Sequence, residues 1–184
     1  MSARSLPISP LLVIAAVLAL AIAATTSTAH AASCAGAARA AQSTPVADAR
    51  SAVLCLVNAE RRQRGLRPVR ANRALERAAA GHSGDMVRRH FFDHDSPGGS
   101  TLASRVRATG YLRGSRGWSL GEAIAWGSGS LASPASIVQS WMDSPPHRAI
   151  LLGRDFRDMG IGIATGTPSG GGDGATFTLD AGRH

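Results

Sequence analysis

Lysine is absent from this 184-residue chain: all 20 basic residues are arginine, set against 12 acids, for a formal net charge of +8. The bias reflects an arginine- and alanine-rich composition as much as a function. Aromatic residues are scarce too, at 4%, and the arginines are spread along the chain. Specific nucleic-acid recognition needs a concentrated basic face with stacking partners, so that class is excluded. A diffuse positive field still favours loose attraction to anionic cell-wall polymers or membrane surfaces. Also missing are internal repeats and the His-Glu-x-x-His helix of zinc proteases. Gly170–Gly174 lacks the lysine and hydroxyl residue of a nucleotide loop and the repeated acids of a calcium loop, so it reads as a hairpin linker.

The longest apolar run, Leu11–Ala24, is shorter than the roughly 20 residues a membrane span needs. It is followed by Ala29-His30-Ala31, a small-x-small cleavage pattern. Residues 1–31 therefore read as a signal peptide, 32–45 as an N-terminal tail carrying Cys34, and 46–184 as one domain of ordinary size. Export implies a secreted, extracellular or envelope-associated protein in an oxidising compartment. The two cysteines, Cys34 and Cys55, are then expected to pair and tie the tail to the first helix. The competing reading, a lipid-anchored Cys34, is disfavoured because Ala31-Ala32-Ser33 lacks the larger aliphatic residue such signals carry.

Thr44-Pro45 opens a helix whose apolar stripe includes Ala49, Val53, Leu56 and Val57, and Gly65 ends it. Asn72 caps a second helix with Leu75, Ala78, Ala79, His82 and Met86 on one face. His82 thus reads as a core histidine bonded to backbone or a carboxylate. Ser83 is no nucleophile, because it continues a helix instead of a strand–turn–helix elbow. His90 and His94 would pair around a metal only if this helix ran on; His94 instead precedes a Ser-Pro-Gly-Gly turn, from which it can project into a groove. Thr101–Thr109 reads as a short helix, and Tyr111–Leu120 as irregular. Leu120–Gly127 places Glu122 in an apolar run, where a carboxylate needs partners to offset its burial. Ser133-Pro134 starts another helix, which the double proline Pro145-Pro146 is expected to stop, setting His147 on a rigid corner. Met159–Ala164 and Ala175–Asp180 read as a hairpin.

His94, Glu122 and His147 form a candidate set: two imidazoles and a carboxylate can ligate zinc, act as general acid and base, or make a polar network. The ordered segments LVNAERRQRGLRPV, LERAAAGHSGDM, FFDH, GEAIAWG, WMDSPPHRAILL, FRDMGIGIA and FTLDAG resemble a bacterial secreted CAP domain (cysteine-rich secretory, antigen 5 and pathogenesis-related 1; SCP-like), from about Ala52 to Gly182. The resemblance implies an α+β fold, a three-layer α-β-α sandwich around a small central antiparallel sheet. It also implies a cleft lined by His94, Glu122 and His147, with His94 and His147 as the ligands of any divalent metal such as Zn²⁺. The family's second cleft acid falls at Asp143-Ser144, where Asp143 either serves with shorter reach or leaves the place vacant. Family members bind metal in the cleft, or lipid nearby, and no general catalysis follows from the fold. The expected protein is therefore a monomer that binds a lipid, peptide or wall polymer at the envelope and is not an enzyme. A metal-dependent hydrolase using Glu122 as base, and a lipid-binding module, are the alternatives.

Overall fold

The computed structural model describes residues 34–184; the expected signal peptide lies outside them. The elements in chain order are α1 (Val46–Gln63), β1 (Arg70–Ala71), α2 (Arg73–Arg89), α3 (Leu102–Ala108), β2 (Ser119–Ser128), α4 (Pro134–Asp143), α5 (Pro145–Leu151), β3 (Asp158–Thr165) and β4 (Gly174–Arg183). Helix ends follow local chemistry. The Asn72 side chain accepts from the Ala74 and Leu75 amides to start α2, and Ser133 accepts from Ser136 to start α4. Thr101 and Ser104 form a reciprocal capping box on α3. Gly65, at φ +65°, takes the left-handed turn after α1.

The four strands form one sheet in the order β1-β3-β4-β2. The three long strands are antiparallel, as expected, but the two-residue β1 pairs parallel to β3, so the sheet is mixed. Helices cover both faces, which makes three layers. On one side α1 and α4 pack over Ala123, Ala125, Ile161, Phe177 and Leu179 in the main core. Trp141, fully buried, donates from its indole nitrogen to the Ile124 carbonyl at 3.1 Å and fixes α4 to β2.

The opposite sheet face, under α2, is unusually polar. Its rows are Glu122–Asp180–Gly160 and Ile124–Thr178–Gly162 across β2, β4 and β3. Ser83 of α2 donates to Thr178 Oγ1 at 2.8 Å, which accounts for its burial as a structural hydroxyl. A Cβ at Gly160 would overlap the backbone of Leu75 and Glu76, and one at Gly162 the backbone of Ala79 and Ala80. The bare strand lets α2 sit directly on the sheet.

Two expectations change. Residues 34–43 are no tail: Cys34, Ala37 and Ala41 are buried in the main core, and Ala37 accepts a backbone bond from Ala135. Small alanines pack closely even where their composition reads as linker. Cys34 is disulfide-bonded to Cys55, closing the link to α1. The double proline, besides ending α4, opens α5, because proline is well suited to the first helical positions. His147 therefore stands in the first turn of a helix, not on a loop corner.

Candidate functional site

Glu122 is the centre of the site. It projects from β2 towards α2 with its side chain only 2% exposed. Its Oε1 accepts from His94 Nδ1 at 2.8 Å and its Oε2 from the Arg105 guanidinium at 2.6 Å. Burial pushes the Glu122 carboxyl up, but the His94 bond and the Arg105 charge outweigh it and hold Glu122 below its ordinary range.

Because a carboxylate only accepts, Nδ1 of His94 carries the proton and Nε2 of the neutral ring is its open side. The His94 side chain is 53% exposed. Its pKa is raised, chiefly by the bond to Glu122, with burial opposing. Arg105, from α3, also donates to the carbonyls of His94 and Ser100, so one guanidinium fastens both Glu122 and the His94 loop.

His82 lies beneath this pair. Its Nε2 donates to the Asp93 carbonyl at 3.0 Å and sits 3.9 Å from Glu122 Oε1. Burial is the main cause of its lowered pKa. It is the core histidine the helical stripe predicted. His90 ends α2 in the left-handed conformation at φ 55°, exposed, so His90 and His94 do not share a helix face.

His147 is half-buried, and its pKa is lowered by burial and then by the charge of His94. Asp143 and Ser144 behave differently. Asp143 is exposed, accepts from Gln139 Nε2 at 2.9 Å, and lines a separate groove with Glu60, Arg64 and Arg148. It follows Trp141 and Met142, whose burial turns the next position outwards. Ser144 joins α4 to α5 and gives its backbone N–H to Ser140.

The acid that meets Glu122 is instead Asp180, its direct neighbour in the β2–β4 register and fully buried. Neither Asp180 oxygen has a hydrogen-bond donor among the described residues. Burial, then the Glu122 charge, raises its pKa well above the carboxylate range. A neutral Asp180 carboxyl beside Glu122 would leave the pair sharing one negative charge. Sequence reading missed both Asp180 and Arg105. The only signal was an acid extending the polar alternation Thr176, Thr178, Asp180 of its strand, and an arginine three residues into a helix of evident surface composition.

A mixed sheet between helical layers, with His94 bonded to a buried Glu122, matches the α-β-α sandwich expected of a CAP domain. The chain belongs to this cysteine-rich secretory protein family, whose model matches residues 54–179. It is 33% identical over 110 residues to the uncharacterized protein YkwD of Bacillus subtilis (strain 168), covering 60% of this chain and 40% of YkwD. Its fold is similar to that of an extracellular SCP-domain protein from Bacillus anthracis (TM-score 0.59, 23% identity, 77% of this chain and 44% of that one). It also resembles an outer surface protein from Borrelia burgdorferi (TM-score 0.63, 16% identity, 77% of this chain and 96% of that one). The chain thus spans less than half the length of YkwD and of the Bacillus anthracis protein.

Proposed function

We propose that this CAP domain acts outside the cytoplasm, at the cell envelope or beyond it, by binding a ligand in the cleft at His94 and His147 without turning it over. The observation that carries the reading is the double engagement of Glu122 by His94 and Arg105. A buried glutamate with both oxygens taken orients an imidazole; it is not poised as the base of a hydrolase. Export is supported by the apolar stretch and cleavage pattern before Cys34 and by the disulfide, which suits an oxidising compartment.

The same arrangement bears on metal. A histidine that donates one ring nitrogen to a carboxylate is set to ligate a cation through the other. Among the described residues no group of three or more His, Cys, Asp or Glu side chains is arranged to hold a metal. His94 and His147 would therefore offer two imidazoles to Zn²⁺, leaving the remaining positions for water or ligand atoms, one protein ligand fewer than catalytic zinc sites use. Calorimetric Zn²⁺ titration of the disulfide-bonded protein should show binding that weakens about tenfold or more, or some 1.4 kcal/mol, in His94→Ala/His147→Ala. Equal affinity in the two proteins would sink the metal claim. Chelator-sensitive turnover of peptide or ester substrates would replace binding by hydrolysis.

A further inference from the structure

A second concave surface, of about 450 Å³, runs along the outer flank of α2 against the turn between Ser96 and Ser100. Its lining contains no Phe, Tyr or Trp, one fully buried histidine (His82) and one acid. Arg77 stands towards one end, and Arg88 and Arg89 at the other, so their helix positions lie about 17 Å apart along the axis. The acid is Asp85, shared by Arg88 at 3.6 Å and Arg89 at 3.5 Å, so two guanidinium charges meet one carboxylate. Arg105 contributes to the lining, but its charge is already balanced by Glu122. Between the arginine ends lies Gly81, where an added Cβ would meet nothing within 4 Å. Glycine inside a helix costs up to about 1 kcal/mol relative to alanine. Here it leaves open space between two cationic ends.

We infer that this groove binds a linear phosphate polymer laid along α2. A single phosphate cannot bridge cationic ends so far apart, whereas a chain of recurring phosphates reaches both. Guanidinium forks match phosphate oxygens in pairs and remain charged at any physiological pH. With no Phe, Tyr or Trp in the lining and His82 fully buried, the groove offers no stacking platform of the kind single-stranded nucleic acid uses. The lining includes His82 and Arg105, which adjoin Glu122, but neither His94 nor His147, and the site needs no metal.

The test uses medium-chain inorganic polyphosphate as probe, with the disulfide-bonded protein, in the presence of chelator. The parent should bind with strong salt dependence, as expected when phosphate neutralisation drives association. Gly81→Phe, which fills the open space without displacing a neighbour, should weaken binding about tenfold or more. Arg77→Gln/Arg88→Gln, at two exposed positions, should do the same, and serves if the phenylalanine variant fails to fold. His94→Ala/His147→Ala should bind polyphosphate as the parent does. Parent-like binding by the folded groove variants, loss of binding in the histidine variant, or equally tight binding of orthophosphate or polyglutamate would each overturn the inference.

Discussion

Replacing Asp180 by asparagine is expected to preserve the fold and to abolish a fall in stability that the parent shows as pH rises above 3.8, the ordinary value for this acid. The folded chain keeps a proton on Asp180 that the unfolded chain has released. Between 3.8 and the raised folded pKa, the native state therefore binds more protons, and stability declines with pH. The slope from this one group is at most about 1.4 kcal/mol per pH unit. Below 3.8 both states hold the proton and the loss disappears. Asparagine is neutral throughout, and its amide N–H can donate to Glu122 in place of the carboxyl proton. His94 is present in both proteins, so the difference between their urea-unfolding curves, taken across pH, reports on position 180 and the Glu122 it faces. Parallel stability–pH profiles would show that Asp180 is ionised in the fold. Asp180→Leu, which supplies no donor to Glu122, should cost about 1–3 kcal/mol.

Arg105→Met should be the more damaging change. It removes the cation from a pair whose side chains are 9% and 2% exposed, and leaves Glu122 with its charge poorly compensated. Breaking such a pair from one side costs about 3–5 kcal/mol. The guanidinium bonds to the His94 and Ser100 carbonyls go with it, freeing the loop that presents His94. Adding Glu122→Gln removes the stranded charge, so Arg105→Met/Glu122→Gln should recover a large part of the loss. Thermal or denaturant unfolding reads both effects. A single-variant cost below about 1 kcal/mol would mean that the pair behaves as a solvated surface bridge.

Much of the architecture was legible because it rests on local chemistry. Asn72, Ser133 and Gly65 mark helix ends by side-chain caps and a left-handed turn, and the apolar stripe of α2 alone puts His82 inside. The ordered motifs bring His94 and Glu122 into one candidate set, and the fold joins them by a direct hydrogen bond. Asp180 escaped for a physical reason. Thr176, Thr178 and Asp180 alternate with Phe177, Leu179 and Ala181, and a polar row of this kind reads as solvent-facing, whereas here α2 covers it and buries all three. Arg105 looked like one more charge on a short solvent helix, since nothing local announces a partner 17 residues later. The proline pair was ambiguous in principle, as the residue type that ends one helix is also suited to begin the next.

The glycines at 160 and 162 separate two kinds of tolerance in this molecule. They are the thinnest part of the fold, where a single added methyl group would lift α2 and with it the histidine that reaches Glu122. His94 and His147 stand at the opposite extreme, the first exposed and the second half-buried. A saturation mutagenesis screen sorted for folded protein should thus reject nearly every replacement at 160 and 162 while accepting many at 94 and 147, and a screen sorted for cleft binding should add the two histidines to the rejected set. Persistence of the fold would then rest on different residues from the ligand binding proposed for His94 and His147.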